Sequence, residues 1–182
     1  MENDKRELRR NQDKLVTIGM GVITFSIWSI IRFFTQAFLN KDEIISNFWE
    51  TVGELPEDMM EYMSDAVILL IYFGIVSIFM LIEVAIEFYV GLSAKAEGMG
   101  KKKGILYLII SVILAILNLM STITMLDFSK SSAEIHYKPL ERVALALIDL
   151  TYFVVLVEMI FAAIKVKKLK RMIQEKMNGA PA

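Results

Sequence analysis

The chain has 182 residues, 55% of them hydrophobic, and a net charge of −1 from 20 basic and 21 acidic side chains. That is too apolar for an ordinary soluble domain of this size. Cysteine is absent, which excludes disulfide-stapled loops, thiolate metal sites and a cysteine nucleophile.

Residues 1–14 are mostly charged and carry no apolar stripe. They read as a cytoplasmic arm, either a polar helix extension or an unstructured segment. The first apolar run follows at 15–39, and three more lie at 66–94, 105–126 and 143–164. A helix needs about 20 apolar residues to cross the hydrocarbon core, and each run is long enough. Run 1 is too long for a cleaved signal sequence, and it lacks an A-x-A exit near Ala37. It is expected to stay as a permanent helix. Thr17, Gly19, Gly21, Thr24, Ser26 and Ser29 give it a small-residue face. Such faces let helix backbones approach closely in lipid, so it should pack inside the bundle or against a second copy.

The connection from 40 to 65 is acidic. Within it Ile44, Ile45, Phe48, Trp49 and Val52 recur at helical spacing. This pattern predicts a short amphipathic helix on the membrane surface with Trp49 at headgroup level, ended by Gly53. Pro56, followed by Glu57 and Asp58, reads as the start of the second long helix. Gly98, Gly100 and Gly104 break the chain around a lysine triplet, Lys101, Lys102 and Lys103. Pro139 reads as the start of the fourth long helix, which continues past its apolar run as a basic amphipathic segment to 176. Residues 177–182 form a flexible tail with stop signals at Asn178, Gly179 and Pro181.

The expected fold is therefore an all-α integral membrane protein, an antiparallel four-helix transmembrane bundle over 15–176 with a short interfacial helix in the first outer loop. Charge sets its orientation. The arm, the 95–104 turn and the tail from Lys165 hold fifteen basic and six acidic residues. The two other connections hold four basic and eleven acidic. Basic segments stay on the cytoplasmic side, so both termini should face the cytoplasm, most simply at the plasma membrane.

Ionisable groups inside a membrane are costly and are read as functional by default. Arg32 and Asp149 match in depth in the outer half and are a candidate ion pair. Glu83 and Glu87 share a helix face, and Glu158 lies at a similar inner depth. These three carboxylates are the candidate cation or proton site. Acids in low dielectric must hold protons or a cation, which is how transport carboxylates work. The plainer alternative is that Glu87 and Glu158 reach water, or Lys95 and Lys165, at the inner interface. Leu81–Ile86 and Leu156–Phe161 each centre an apolar stretch on one Glu, a hint of a parallel repeat.

Lys101, Lys102, Lys103, Lys165, Lys167, Lys168, Lys170 and Arg171 are candidate contacts for anionic headgroups on the inner leaflet. Lys165, Lys168 and Arg171 are spaced as in a voltage sensor, yet they follow the apolar run instead of lying within it. Asn118 is expected to hydrogen-bond between helices. Met59, Met60 and Met63 could attract a soft metal, but packing explains them better, and His136 reads as a plain loop residue.

No enzyme, cofactor, metal or nucleic-acid motif stands out. Tetraspanin- and claudin-like proteins carry outer cysteines, and small multidrug transporters place their key Glu in the first span. Neither pattern is present. The expected role is a non-enzymatic membrane subunit binding lipid or partner helices, with a homodimer as one arrangement. The alternative is a small ion- or proton-coupled transporter or channel.

Overall fold

The computed structural model describes residues 2–39, 41–52, 64–126 and 139–178. Five helices occupy them: α1 (Glu2–Leu39), α2 (Lys41–Val52), α3 (Asp65–Gly98), α4 (Leu106–Leu126) and α5 (Pro139–Asn178). No strand occurs among the described residues. Gly53, Pro56, Met59, Met60, Met63, His136 and the tail from residue 179 lie outside them.

α1, α3, α4 and α5 are long and apolar enough to cross a membrane. The arm at 2–14 is helical and continuous with the first apolar run. α3 does not begin near Pro56. Ser64 precedes it without helical structure, and its carbonyl accepts the first helical bonds from the amides of Val67 (2.8 Å) and Ile68 (3.1 Å). Serine is a favoured residue at such a helix entry, and it stands immediately before α3. At the fourth long helix, Pro139 is the first residue of α5.

Contacts divide the chain into two units. The first comprises Met1–Phe25 with Glu87–Ala182, and the second comprises Ser26–Ile86. The core of the first unit holds Leu15 and Val22 of α1, Val90 and Ala94 of α3, and Tyr107, Leu108 and Ala115 of α4. α5 adds Tyr152, Leu156, Met159, Ala163 and Val166, spaced by three and four so that they line one helix face.

In this unit α1 and α3 meet backbone to backbone. A Cβ placed on Gly19 would stand 2.8 Å from the Gly91 carbonyl oxygen and 2.8 Å from the Lys95 amide nitrogen. One on Gly98 would stand 2.7 Å from the Gln12 carbonyl oxygen. Residue numbers rise from Gln12 to Ile23 along α1 as they fall from Gly98 to Gly91 along α3, so this pair runs in opposite directions. Part of the small-residue face of α1 is thus used within the chain: Gly19 and Ser26 are buried. Thr17 and Thr24 remain exposed and donate to their own helix, at Asp13 O and Met20 O (both 3.1 Å).

The second unit is sparsely buried. Only Ser26, Ile68 and Val84 are buried among its described residues. Edge-on ring contacts join Phe33 to Phe34 (5.3 Å) and to Phe73 (6.4 Å), and Tyr72 to Phe73 (6.1 Å). Leu70, Ile75, Ile78, Phe79, Leu81 and Ile82 of α3 are exposed. The most apolar stretch of α3 is only 17% buried. A face like that is stable only where the surrounding solvent is hydrocarbon or another helix.

Candidate functional site

The site begins with how α3 ends. Gly100 adopts a φ of +91°, a left-handed conformation that glycine enters without steric cost. Its amide donates to Glu97 O (3.0 Å), and the Lys101 amide donates to Ala96 O (3.0 Å). This double closure is a Schellman cap, which terminates the helix cleanly and turns the chain out into Lys101–Gly104.

Glu97, in the last turn of α3, is 2% exposed. The Tyr107 hydroxyl, from the first turn of α4, donates to Glu97 Oε2. Lys167 Nζ of α5 lies 3.1 Å from Glu97 Oε1. The same ammonium donates to the carbonyl of Lys103 (2.8 Å) and sits 5.7 Å above the Tyr107 ring. One turn further, Lys170 Nζ donates to the backbone carbonyl of Glu97 (3.4 Å). A cation there faces the negative end of the α3 dipole. Three helices and the glycine–lysine turn are therefore tied at one buried carboxylate. An ionised acid this deep needs both charge and hydrogen-bond compensation, and Lys167 and Tyr107 supply them.

The basic residues divide into engaged and open groups. Lys165 pairs with Glu7 of α1 (2.7 Å), and Arg171 pairs with Glu175 one turn on (2.8 Å). Lys101, Lys102, Lys103 and Lys168 are exposed and form no ion pair among the described residues.

The acids expected from the sequence fall in both units. Glu87 is 3% exposed in the first unit. Glu158, in the same unit, is half-exposed and pairs with Lys14 of α1 at 3.2 Å, not with Lys165. The charged arm, expected as either a polar helix extension or an unstructured segment, is helical and sets Lys14 against Glu158. Glu83 is exposed and belongs to the second unit. Among the described residues no group of three or more acidic or histidine side chains forms a metal-binding cluster. Arg32 belongs to the second unit and Asp149 to the first, where Asp149 is 7% exposed; each takes part in an interaction, so neither is free.

Asn118 also departs from expectation. Its side-chain oxygen is buried with no hydrogen-bond partner among the described residues, so the interhelical bond is not made through that atom. Its backbone carbonyl instead accepts from Thr122 Oγ1 (2.9 Å).

A third line of ion pairs connects the chain ends. Lys176 Nζ lies 2.8 Å from Asp4 Oδ2, and this ammonium holds the Asp4 carboxyl below its usual range. Together with Glu7–Lys165 and Lys14–Glu158, it joins α1 to α5 with the acid on either helix. No family model, curated protein or solved structure matches this chain.

Proposed function

We propose that the chain is a multi-pass membrane subunit without catalytic activity, which acts by binding anionic lipid and partner helices. Its four long helices form an antiparallel bundle, with both termini and the lysine turn on the cytoplasmic side of the plasma membrane. α2 lies along the outer surface. One observation carries the reading: broad apolar faces on α3 and α4 stay exposed, while unpaired lysines gather in one turn at the end of those faces. Hydrocarbon and anionic headgroups are the surroundings that such a division suits. The exposed Thr17–Thr24 side of α1, with Met20, Ile27 and Ile31, is the face offered to a second copy.

Reporter fusions at Glu2 and Ala182 are expected to read cytoplasmic, and one at Glu54 external. An external reading at either terminus overturns the proposal.

A second reading, a small ion- or proton-coupled transporter, is favoured by the burial of the Glu87 side chain within an apolar helix. The two readings separate in proteoliposomes. The subunit reading expects no proton or cation flux above lipid alone. Flux that Glu87→Gln abolishes would replace it with the transporter.

A further inference from the structure

We infer that the turn Lys101–Lys103, held by the Glu97 tie and flanked by Lys168, is a binding site for a lipid headgroup bearing two or more phosphates. The inference rests on the lipid-binding reading and adds to it a ligand class and the device that selects it.

Charge balance within the turn comes first. The 95–104 segment contains a single acid, Glu97, and it points inward to Tyr107 and Lys167. No carboxylate is left to neutralise Lys101, Lys102 and Lys103, all exposed. Lys167 grips the Lys103 carbonyl, and Lys168 follows it directly on α5. Three open ammonium groups thus stand in the turn, and a fourth, Lys168, is next in sequence to the lysine that holds it. A headgroup with one phosphate and one negative charge cannot match four cations, whereas a headgroup with several phosphates can.

Fixation of the turn comes second. A lysine loop of this kind is ordinarily mobile, and ordering its long side chains on a ligand costs conformational entropy. Here the backbone on both sides is already held. The Schellman cap at Gly100 fixes its entry, and Lys167 on the Lys103 carbonyl fixes its exit. Glu97 holds Lys167 in place, so a buried acid that never meets lipid sets the position of the cations that do. Simple charge counting predicts that removing this acid strengthens binding to any anion. Preorganisation predicts loss of preference for the multiply phosphorylated headgroup, with binding to singly charged lipid unchanged or raised.

The test uses the full chain in phosphatidylcholine nanodiscs. These contain either phosphatidylglycerol or diphosphatidylglycerol, matched in total negative charge, and occupancy is read by native mass spectrometry. Wild-type protein is expected to favour the two-phosphate lipid. Lys102→Ala with Lys103→Ala should weaken that lipid by about thirtyfold, at roughly fivefold for each lysine near an anionic surface. Both positions are exposed, so this variant keeps its fold. Glu97→Gln should bring the two lipids to equal occupancy, and Tyr107→Phe should narrow the preference only partly. Equal affinity of wild type for both lipids overturns the inference while leaving general lipid binding intact. A preference that Glu97→Gln preserves overturns the role of the tie. Absence of binding to either lipid overturns the lipid-binding reading itself.

Discussion

The two units of the chain are built on opposite principles. The first, Met1–Phe25 with Glu87–Ala182, is held by close backbone packing, a buried carboxylate tie and ion pairs between α1 and α5. The second, Ser26–Ile86, has three buried residues among those described and carries ring-edge contacts between Phe33, Phe34, Tyr72 and Phe73. Lipid tails are as apolar as Leu, so burying Leu gains little in a bilayer. Close approach, hydrogen bonding and ion pairing are what remain, and the first unit shows all three. In the first unit the closest contacts between helices are made at small and polar residues, Gly19, Gly91 and Gly98 and the Glu97–Lys167 pair.

The largest expected effect comes from orphaning the buried acid. Lys167→Met leaves Glu97 uncompensated and should lower stability in detergent by about 3 kcal/mol. Adding Glu97→Gln should restore most of it, because an unpaired buried charge costs more than a missing pair. Thermal unfolding of both variants checks this, and additive losses would show that the pair is not coupled.

A matched glycine pair gives the next effect and sets the units directly against each other. Gly98→Val forces a side chain into the backbone of α1 and should cost about 1–3 kcal/mol. Gly74 of the second unit has nothing within 4 Å of its Cβ position, so Gly74→Ala should stabilise α3 by up to about 1 kcal/mol. Opposite signs in the same unfolding assay would sharpen the contrast. Equal losses would break it.

The smallest effect is at the end of α1. The Asp4 carboxyl is depressed by Lys176, so its contribution is fully present above the unfolded value of 3.8 and fades as pH falls through the lower folded value. The pair is exposed and screened by salt. Wild type and Lys176→Gln should therefore differ slightly in unfolding temperature at neutral pH and low salt, and converge below pH 3.8 or in high salt.

Much of the helical frame was legible in the sequence, because long apolar runs and Pro139 mark elements without reference to any partner. α4 at Leu106–Leu126 lies within one residue of the apolar run. The start of α3 was misread since Pro56 is an equally good helix entry on local grounds, and only the helix itself reveals that Ser64 takes the role. The Glu97 tie was missed because counting charges by segment assigns a sign and not a direction. A signal was present: Glu87, Val90, Ala94 and Glu97 repeat at three and four residues and continue one buried face to the end of α3. The partner of Glu158, Lys14, sits on a helix extension that composition alone left undecided.

The pair between Asp4 and Lys176 spans 172 positions of the chain. Lys176 is translated 172 residues after Asp4. At roughly 5–20 residues per second, the first turn of α1 waits about 10–30 s for its partner to be synthesised. Throughout that interval the acids of the arm, Asp4 and Glu7, have no lysine from α5 to meet. Closure of the first unit is therefore a late event, and a ribosome that stalls before residue 165 releases a chain whose arm has yet to find either of its lysines.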